Sequence, residues 1–385
     1  MSLSSHPLSP ASFRAEALRR IYESTPPAPP AKVARTPSDP VSDGDRSASR
    51  AIRPGLATLF DLVSEELRPV PFLTPAPPGA LPLLLSRFAL EHELDAGGTA
   101  VIWRARDLAL GEPRAVKLLS EHARTSTILR SCFLSGARAA MGVSHPNVVR
   151  VYAVHEPDDK PPFAVMELLE GEPLHAVLAR EERLAPELVL ALARGAARGL
   201  AAAHEAGIVH CDVKPENLFV VGRERSVKVL DFDLSWMAGA PDPGDRHVLR
   251  GTAKYMAPEQ IVGDDVDART DVYSLGVVLF RMLTGHLPFD LELGATLLRH
   301  QVSSPIPPPS WLVDELDPRL DAVVVRATRK NPGNRYRDMT ALLADLDALS
   351  LGLDLVTPPD PIADDRYTPQ SDHARAAFRA LEIAA

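Results

Sequence analysis

The hydrophobic pattern of the chain changes near residue 170, and this change limits the folds that it can adopt. Before that point short apolar runs alternate with turns, as in RFALEHEL, AVIWRARD, PRAVKLL, VVRVYAV and PFAVMEL, and they predict strands around one helix at 133–142. Afterwards apolar residues recur at helical spacing, which predicts helices at 186–205, 271–284, 321–329 and 340–349. A strand-rich half followed by a helix-rich half predicts an α+β fold of two lobes joined near 167–172.

Composition and charge exclude several classes of protein. The 385 residues carry a net charge of −9, with a pI of about 5.8, which argues against sequence-independent binding of nucleic acid. Two cysteines, Cys132 and Cys211, cannot form a disulfide framework, and this favours a reducing compartment. No apolar run reaches the roughly 18 residues of a membrane-spanning helix, and the N-terminus has no signal core. We therefore expect a cytoplasmic protein that binds neither nucleic acid nor membrane.

The two ends of the chain differ in composition from the middle. Residues 1–86 are rich in proline and polar residues, and they are predicted to form a largely disordered extension. Two short helical patterns, at 11–22 and 56–67, interrupt it, and the second is either transient or docked on the folded domain. The proline motifs could recruit a protein partner. Residues 350–385 are predicted to form a C-terminal tail with a last helix at 373–383.

Five polar side chains occur in a fixed order in the segments AVK, CDVKPEN and VLDFD. They are Lys117, Asp212, Lys214, Asn217 and Asp231. Phosphoryl transfer requires cations around the phosphates, oxygen ligands for magnesium and a base for the attacking hydroxyl. Two lysines, two aspartates and an asparagine supply these groups. The segment GTAKYMAPEQ follows downstream of Asp231, and the ordered set predicts transfer of phosphate from a nucleotide.

With these motifs, the chain from about Arg87 to Leu349 resembles the eukaryotic-like Ser/Thr protein kinases of bacteria. The resemblance implies a two-lobed kinase fold, with an antiparallel sheet in the N-lobe, 87–168, and helices in the C-lobe, 169–349. It implies ATP and Mg²⁺ as cofactors and proteins as substrates. The lysine two places after the aspartate in DVKPEN is typical of the Ser/Thr rather than the Tyr class.

The resemblance also implies roles for individual residues. The catalytic residues would be Asp212 as the base, Lys214 as its charge partner and Asn217, and the metal ligands would be Asn217 and Asp231. Met166 would be the gatekeeper. The ATP-binding residues would be Leu94, Gly97, Gly98, Ile102, Ala115, Lys117, Glu167 and Leu169. Structural roles would fall to Thr252 near the base, Asp271 behind the catalytic loop, and the ion pair of Glu259 with Arg335.

The nucleotide loop departs from the family pattern G-x-G-x-x-G. Residues 95–100 read DAGGTA, so that Asp95 and Ala100 replace the outer glycines. Ala100 is a small loss, because one methyl group only narrows the approach of the backbone. Asp95 adds negative charge at the mouth of a polyphosphate site, unless its carboxylate points to solvent.

Two further departures concern the partners of Lys117. When the sequence is aligned with the family on the segment HPNVV, Gly136 stands at the helix position where the family has a glutamate. Glu121 or Asp233 would therefore have to replace that glutamate as the partner of Lys117. Asp233 itself replaces the glycine of DFG, where unusual backbone angles are expected. Its carboxylate could bind magnesium, reach Lys117, or remain solvated or locally hydrogen-bonded, and the sequence favours the last interpretation.

Cys211 replaces an arginine that in the family commonly binds a phosphate on the activation loop. The loop itself offers only Ser235 and Thr252 as Ser/Thr hydroxyls. The missing receptor and the missing acceptor together predict activity without loop phosphorylation, with Asp242, Asp245 or packing around Trp236 holding the segment. A packed, inert thiol is favoured for Cys211 over a redox switch.

Every residue closest to the chemistry is kept, and the losses affect positioning. The sequence therefore predicts an ATP-dependent Ser/Thr kinase that is slow. The alternative is a pseudokinase that binds nucleotide and acts as a signalling scaffold.

Overall fold

A computed structural model of the chain describes residues 82–158, 160–233, 235–237, 253–357 and 365–383. All of them fall within one unit of the chain, Arg68–Ala385. The helices predicted at 11–22 and 56–67 lie outside the described residues. So do Thr252, Asp242, Asp245 and the side chain of Trp236, to which the sequence assigned roles in the activation loop.

The first half of the described chain forms one six-stranded antiparallel sheet with the strand order β1-β2-β3-β4-β6-β5. Its strands are β1 (Leu83–Leu84), β2 (Phe88–Ala96), β3 (Ala100–Asp107), β4 (Glu112–Leu119), β5 (Val151–His155) and β6 (Phe163–Met166). Apolar residues from neighbouring strands, among them Leu90, Ala105 and Val116, are fully buried on one face of the sheet. Because β1 pairs with β2, the sheet includes Leu83 and Leu84, which precede the expected start of the domain at residue 87.

Two helices pack beside this sheet, α1 (Glu121–Thr125) and α2 (Thr127–Gly142). The side chain of Ser126 accepts a hydrogen bond from the backbone of Leu129 and caps α2. The cap explains why α2 begins at Thr127, several residues before the helix that hydrophobic periodicity predicted. Its buried face includes Phe133 and Gly136.

The second half of the described chain is mostly helical. Its helices are α3 (Leu174–Arg180), α4 (Pro186–Glu205), α5 (Pro258–Val262), α6 (Ala268–Thr284), α7 (Ala295–Ser303), α8 (Pro318–Ala327), α9 (Met339–Ser350) and α10 (Asp372–Ile383). The core helix is α6, which is buried over nearly its whole length. Aspartate side chains cap α6, α8 and α9 at Asp267, Asp317 and Asp338.

Five short strands in the second half flank two of its loops. A three-stranded sheet has the order β10-β9-β7, and a second pair joins β11 to β8. These strands are β7 (Gly171–Pro173), β8 (Ile208–Val209), β9 (Leu218–Val221), β10 (Ser226–Val229) and β11 (Trp236–Met237). The loop 210–217 between β8 and β9 and the turn 230–235 between β10 and β11 are thereby fixed at both ends.

The arrangement is the expected α+β fold, with an antiparallel sheet lobe followed by a helical lobe. Among the helices that the structure describes, none combines the length and the apolar character needed to cross a bilayer.

Candidate active site

Asp271, in the first turn of α6, holds the loop that carries the predicted base. Its carboxylate accepts hydrogen bonds from the backbone amides of His210 and Cys211, at 2.8 and 2.9 Å, and lies 2.7 Å from His204 Nε2. The side chain is fully buried, and burial alone would raise its pKa. The contacts with His204 and the loop amides outweigh burial, and the net pKa of Asp271 is lowered. Asp271 thus holds two successive backbone amides of the loop 210–217.

Asp212 lies at the centre of a small polar cluster. Lys214 Nζ lies 2.7 Å from Asp212 Oδ2, and Asn217 Nδ2 donates to the same oxygen at 3.0 Å and to the Asp212 carbonyl at 2.9 Å. The Asp212 amide donates to His210 Nδ1 at 3.2 Å. Lys214 and Asn217 therefore fix the direction of the carboxylate, and His210 holds the backbone amide of the same residue. A carboxylate held in this way is able to accept a proton from a hydroxyl placed beside it.

The residue that directly precedes Asp231 in the chain, Leu230, is bonded through its backbone to Asn217. The amide of Leu230 donates to the Asn217 carbonyl at 2.8 Å, and its carbonyl lies 2.8 Å from His210 Nε2. Asp231 adopts a left-handed conformation with φ 56°. The unusual backbone angle expected at Asp233 is therefore found at Asp231 instead.

The side-chain chemistry at this point fits magnesium. Asn217 donates through Nδ2, so that its Oδ1 atom is the one with ligand character, and Asp231 offers a carboxylate. Amide and carboxylate oxygens are ligands that Mg²⁺ accepts, and the ion completes its shell with water and substrate phosphates. No cluster of three or more His, Cys, Asp or Glu side chains able to hold a metal is found among the described residues.

Lys117, on β4, lies between two carboxylates of the turn that follows β10. Its Nζ atom is 2.7 Å from Asp231 Oδ1 and 2.6 Å from Asp233 Oδ2. Burial lowers the pKa of the lysine, but the two negative charges outweigh it and the net pKa is raised. Burial and the neighbouring charge of Asp231 raise the pKa of Asp233, whereas Lys117 overcomes burial at Asp231 and lowers its pKa.

The interpretation favoured for Asp233 from sequence, a solvated or locally bonded carboxylate, is wrong. Its side chain is largely buried and bonded to Lys117. The other candidate substitute, Glu121, pairs with Arg124 on its own short helix at 2.5 Å. Gly136 lies on the buried face of α2 directly against the turn that carries Asp233. The physical reason for the error is tertiary, because the contact joins residues far apart in the chain.

The nucleotide loop connects β2 and β3. The amide of Gly97 donates to the Ala100 carbonyl at 2.9 Å, which closes the turn, and Leu94, Gly97 and Gly98 are exposed. Asp95 is exposed as well, and its carboxylate accepts a hydrogen bond from the following backbone amide at 2.9 Å. Its charge therefore faces solvent and is partly satisfied by its own backbone.

The remaining predicted nucleotide residues lie on adjacent strands. Ile102 of β3 pairs in register with Lys117 of β4, and Ala115 of β4 pairs with Met166 of β6. Antiparallel pairing thus places Met166, Ile102 and Lys117 on three neighbouring strands.

The predicted hinge follows β6. The amide of Glu167 donates to the Arg150 carbonyl at 3.0 Å, and its carboxylate accepts from the Arg150 amide at 2.7 Å and from Lys228 Nζ at 2.8 Å. Leu169 is half-buried. Glu167 is therefore held by residues of both lobes.

The predicted ion pair of Glu259 with Arg335 is present and buried. Two parallel hydrogen bonds of 2.7 and 2.8 Å join them, and Thr270 Oγ1 donates to the same carboxylate at 2.9 Å. The pair ties α5, at the end of the activation segment, to the loop before α9.

Sequence reasoning missed three residues that hold the site. They are His204, which contacts Asp271, His210, which joins the two loops, and Gln260, whose Nε2 donates to the Cys211 carbonyl at 2.7 Å. Cys211 has a left-handed backbone with φ 63° and is half-buried. A histidine in the last turn of a helix that precedes a catalytic loop is a signal that would have found His204.

The amino-acid sequence matches the family model described as Protein kinase domain over residues 88–342. It is 36% identical over 268 residues to the serine/threonine-protein kinase PknL of Mycobacterium tuberculosis, a match that covers 70% of this chain and 67% of the relative. It is 38% identical over 259 residues to Pkn1 of Myxococcus xanthus, covering 66% of this chain and 37% of the relative. With PknB of Mycolicibacterium smegmatis the identity is 36% over 270 residues, covering 68% and 43%. The chain therefore spans about two thirds of PknL and under half of the other two.

Proposed function

Since the chain belongs to the protein kinase family, we propose that it is a serine/threonine kinase, which transfers the γ-phosphate of ATP to hydroxyl groups of proteins. The observation that carries this proposal is the cluster in which Lys214 and Asn217 both hold the carboxylate of Asp212. A protein that no longer transferred phosphate would have no need to hold the carboxylate of Asp212 in a fixed direction. The printed names of PknL, Pkn1 and PknB, all serine/threonine-protein kinases, support the choice of acceptor.

In this mechanism Asp212 receives the proton of the substrate hydroxyl as the hydroxyl oxygen attacks the γ-phosphate, and the bond between the γ-phosphorus and the β-phosphate oxygen breaks to release ADP. Asn217 and the His210 ring keep the aspartate in place throughout. Lys214, already 2.7 Å from the base, offsets negative charge on the group that is transferred. The buried Asp271 prevents the loop from turning away, because it binds two successive backbone amides.

Lys117 binds the α- and β-phosphates from the sheet lobe. Its ammonium group is largely buried and stays charged, so that it presents a fixed cation to the nucleotide. Asn217 and Asp231 would hold the magnesium ion that accompanies ATP and neutralises phosphate charge in this family. Nucleotide binding would draw Lys117 from Asp231 toward the phosphates and leave that carboxylate to the metal.

The kinase is expected to work without phosphorylation of the activation loop. Cys211 offers no cation for a phosphate, and the loop around it is held instead by Asp271 and Gln260. Treatment of the purified protein with a phosphatase should leave its rate of transfer unchanged. A large fall in rate would show that a phosphate is required after all.

The proposal is tested with purified full-length protein, labelled ATP, magnesium and a general substrate such as myelin basic protein. We expect phosphate on serine and threonine, and a rate for Asp212→Ala that is lower by a factor of about a hundred or more. Phosphate on tyrosine alone would contradict the acceptor class. Equal rates for the wild type and Asp212→Ala would contradict the enzyme.

The alternative of a nucleotide-binding pseudokinase is not favoured by the named relatives. It would be restored by magnesium-dependent ATP binding without any transfer above the Asp212→Ala background. Such a result would separate the fold, which the chain shares with its family, from the activity proposed for it.

A partner for the proline-rich N-terminal extension and a cytoplasmic location are further proposals. The motif PPAPP at 26–30 is of the kind that aromatic-lined grooves bind. Alanine at Pro26, Pro27, Pro29 and Pro30 in the full chain should abolish capture of such a partner. Cell fractionation tests the location, which rests on the low cysteine content of the chain.

A further inference from the structure

The strongest unexplained feature of the site is the second carboxylate on Lys117. Asp231 and Asp233 both contact its ammonium group, at 2.7 and 2.6 Å, although they are two residues apart on one turn. Their exposure differs, since the Asp231 side chain is 38% exposed and the Asp233 side chain 18%. The more open carboxylate is the one that a ligand from solvent reaches more easily. The more buried one is better shielded from such a ligand and remains available to the lysine.

Helix α2 supplies no carboxylate for this purpose. Its sequence, TILRSCFLSGARAAMG, contains no acidic residue, and Glu121 on the preceding helix is paired with Arg124. What α2 offers to Lys117 is the ring of Phe133, whose centroid lies 5.8 Å from Nζ. Within this environment Asp233 is the residue placed to hold the ammonium group once Asp231 is given over to a metal.

Gly136 explains why the carboxylate comes from the turn. A Cβ atom added at Gly136 would lie 2.3 Å from the Phe232 carbonyl oxygen and 2.6 Å from Asp233 Cα. Both distances are far below contact distance, and both neighbours are backbone atoms that do not rotate aside. The helix can approach the turn only because this position has no side chain. The absence of a side chain at Gly136 of α2 thus allows the close approach of the turn whose Asp233 side chain contacts Lys117.

We propose that Asp233 is the positioning residue of Lys117, and that Gly136 makes room for the turn that carries it. The inference rests on the proposed function and deepens it. In the family, a glutamate on the helix pairs with the lysine, and displacement of that helix breaks the pair. Here the carboxylate moves with Asp231, so that the anchor of the lysine and a ligand of the metal are assembled by the same turn. The position of Lys117 therefore depends on the turn that carries Asp233 and not on a carboxylate of α2.

The test is a double-mutant cycle read by ATP binding, measured by calorimetry in magnesium. Asp233→Asn keeps the shape and removes the charge, so we expect affinity for ATP to fall about tenfold or more. In a Lys117→Met background the same substitution should have almost no further effect, because its partner is absent. A merely structural role would give additive losses. Unchanged affinity in Asp233→Asn, or additivity with Lys117→Met, would overturn the proposal.

A pair of substitutions on α2 tests the part played by Gly136. Gly136→Ala should weaken ATP binding, because its Cβ atom meets the backbone of the turn that carries Asp233, whereas Gly142→Ala, with nothing within 4 Å of the added atom, should leave the affinity unchanged. Equal affinities in the two folded variants would contradict the part assigned to Gly136. ATP binding is measured without turnover. A wild type that binds ATP but transfers no phosphate would therefore contradict the proposed function without contradicting the role of Asp233 in positioning Lys117.

Discussion

At the scale of single residues, Asp271 shows how much of the site depends on one buried carboxylate. It accepts two backbone hydrogen bonds from the catalytic loop and contacts His204. Burial opposes its charge, yet its net pKa is lowered because its partners favour the ionised form. A carboxyl group whose pKa is lowered by folding contributes stability above its unfolded pKa of about 3.9, and this contribution is lost as the pH falls through the folded value.

Replacing Asp271 by Asn should lower the free energy of unfolding by about 3 kcal/mol at neutral pH, because buried amides of the loop lose a charged acceptor. The difference from the wild type should shrink as the pH is lowered from 6 toward 3. Urea denaturation at a series of pH values measures it. A difference that stays constant across this range would show that the charge of Asp271 contributes nothing.

Gly136 gives a second prediction at this scale. Gly136→Ala should destabilise the protein by about 1–3 kcal/mol, because its methyl group meets the backbone of the turn. Gly142→Ala is the matched control on the same helix, with nothing within 4 Å of the added atom, and it should be neutral or stabilising by up to about 1 kcal/mol. Thermal unfolding of both variants compares them. Equal effects would mean that the helix and the turn are not in close contact.

These residues also show where sequence reasoning reaches its limit. The order of the motifs gave Lys117, Asp212, Lys214, Asn217 and Asp231, because each lies in a segment with a recognisable local pattern. The contact of Asp233 with Lys117 has no local pattern, since it depends on how closely α2 approaches the turn. For the same reason the left-handed angle was assigned to Asp233 and occurs at Asp231.

At the scale of elements, the long amphipathic helices were predictable and the short elements were not. Helix α4 begins and ends at the predicted residues, because Pro186 marks its start and its apolar residues repeat over several turns. Strands β7 to β11 are two to four residues long and carry no periodicity. Helix α7 follows Gly294, with no side chain to cap it, and was missed. Short elements are specified by the partners that they contact.

The pair of Glu259 and Arg335 gives the prediction for this scale. Arg335→Met should lower the free energy of unfolding by about 3–5 kcal/mol, because it leaves a buried carboxylate without its cation. Arg375→Met removes the exposed pair with Asp372 and should change stability by less than about 1 kcal/mol. Urea denaturation measures both. Similar small losses would show that the buried pair does not tie α5 to the loop before α9.

At the scale of the whole molecule, the described part of the C-terminal tail lies on the helical lobe beside α5 and α7. Asp264, just after α5, accepts hydrogen bonds from the Tyr367 hydroxyl at 2.6 Å and from the backbone amides of Gln370 and Ser371. Ala374 of α10 is fully buried. The tail thus holds the region in which the activation segment ends.

A charge at Ala374 should release this tail. Ala374→Asp places a carboxylate in a buried position, so we expect faster hydrogen exchange at the backbone amides of 366–383 and a lower melting temperature. Ala376→Asp introduces the same residue at an exposed position of the same helix and should leave both quantities nearly unchanged. Equal exchange in the two variants would contradict docking of the tail.

The central claim is that two lysines, two aspartates and an asparagine converge on ATP, and a crystal structure with magnesium and a non-hydrolysable ATP analogue tests it most directly. We expect Lys117 Nζ within about 3 Å of an α- or β-phosphate oxygen while it remains bonded to Asp233. Oxygens of Asn217 and Asp231 should bind one magnesium ion at about 2.0–2.1 Å. A structure in which Lys117 stays clear of the phosphates, or in which Asn217 and Asp231 share no ion, would contradict the account.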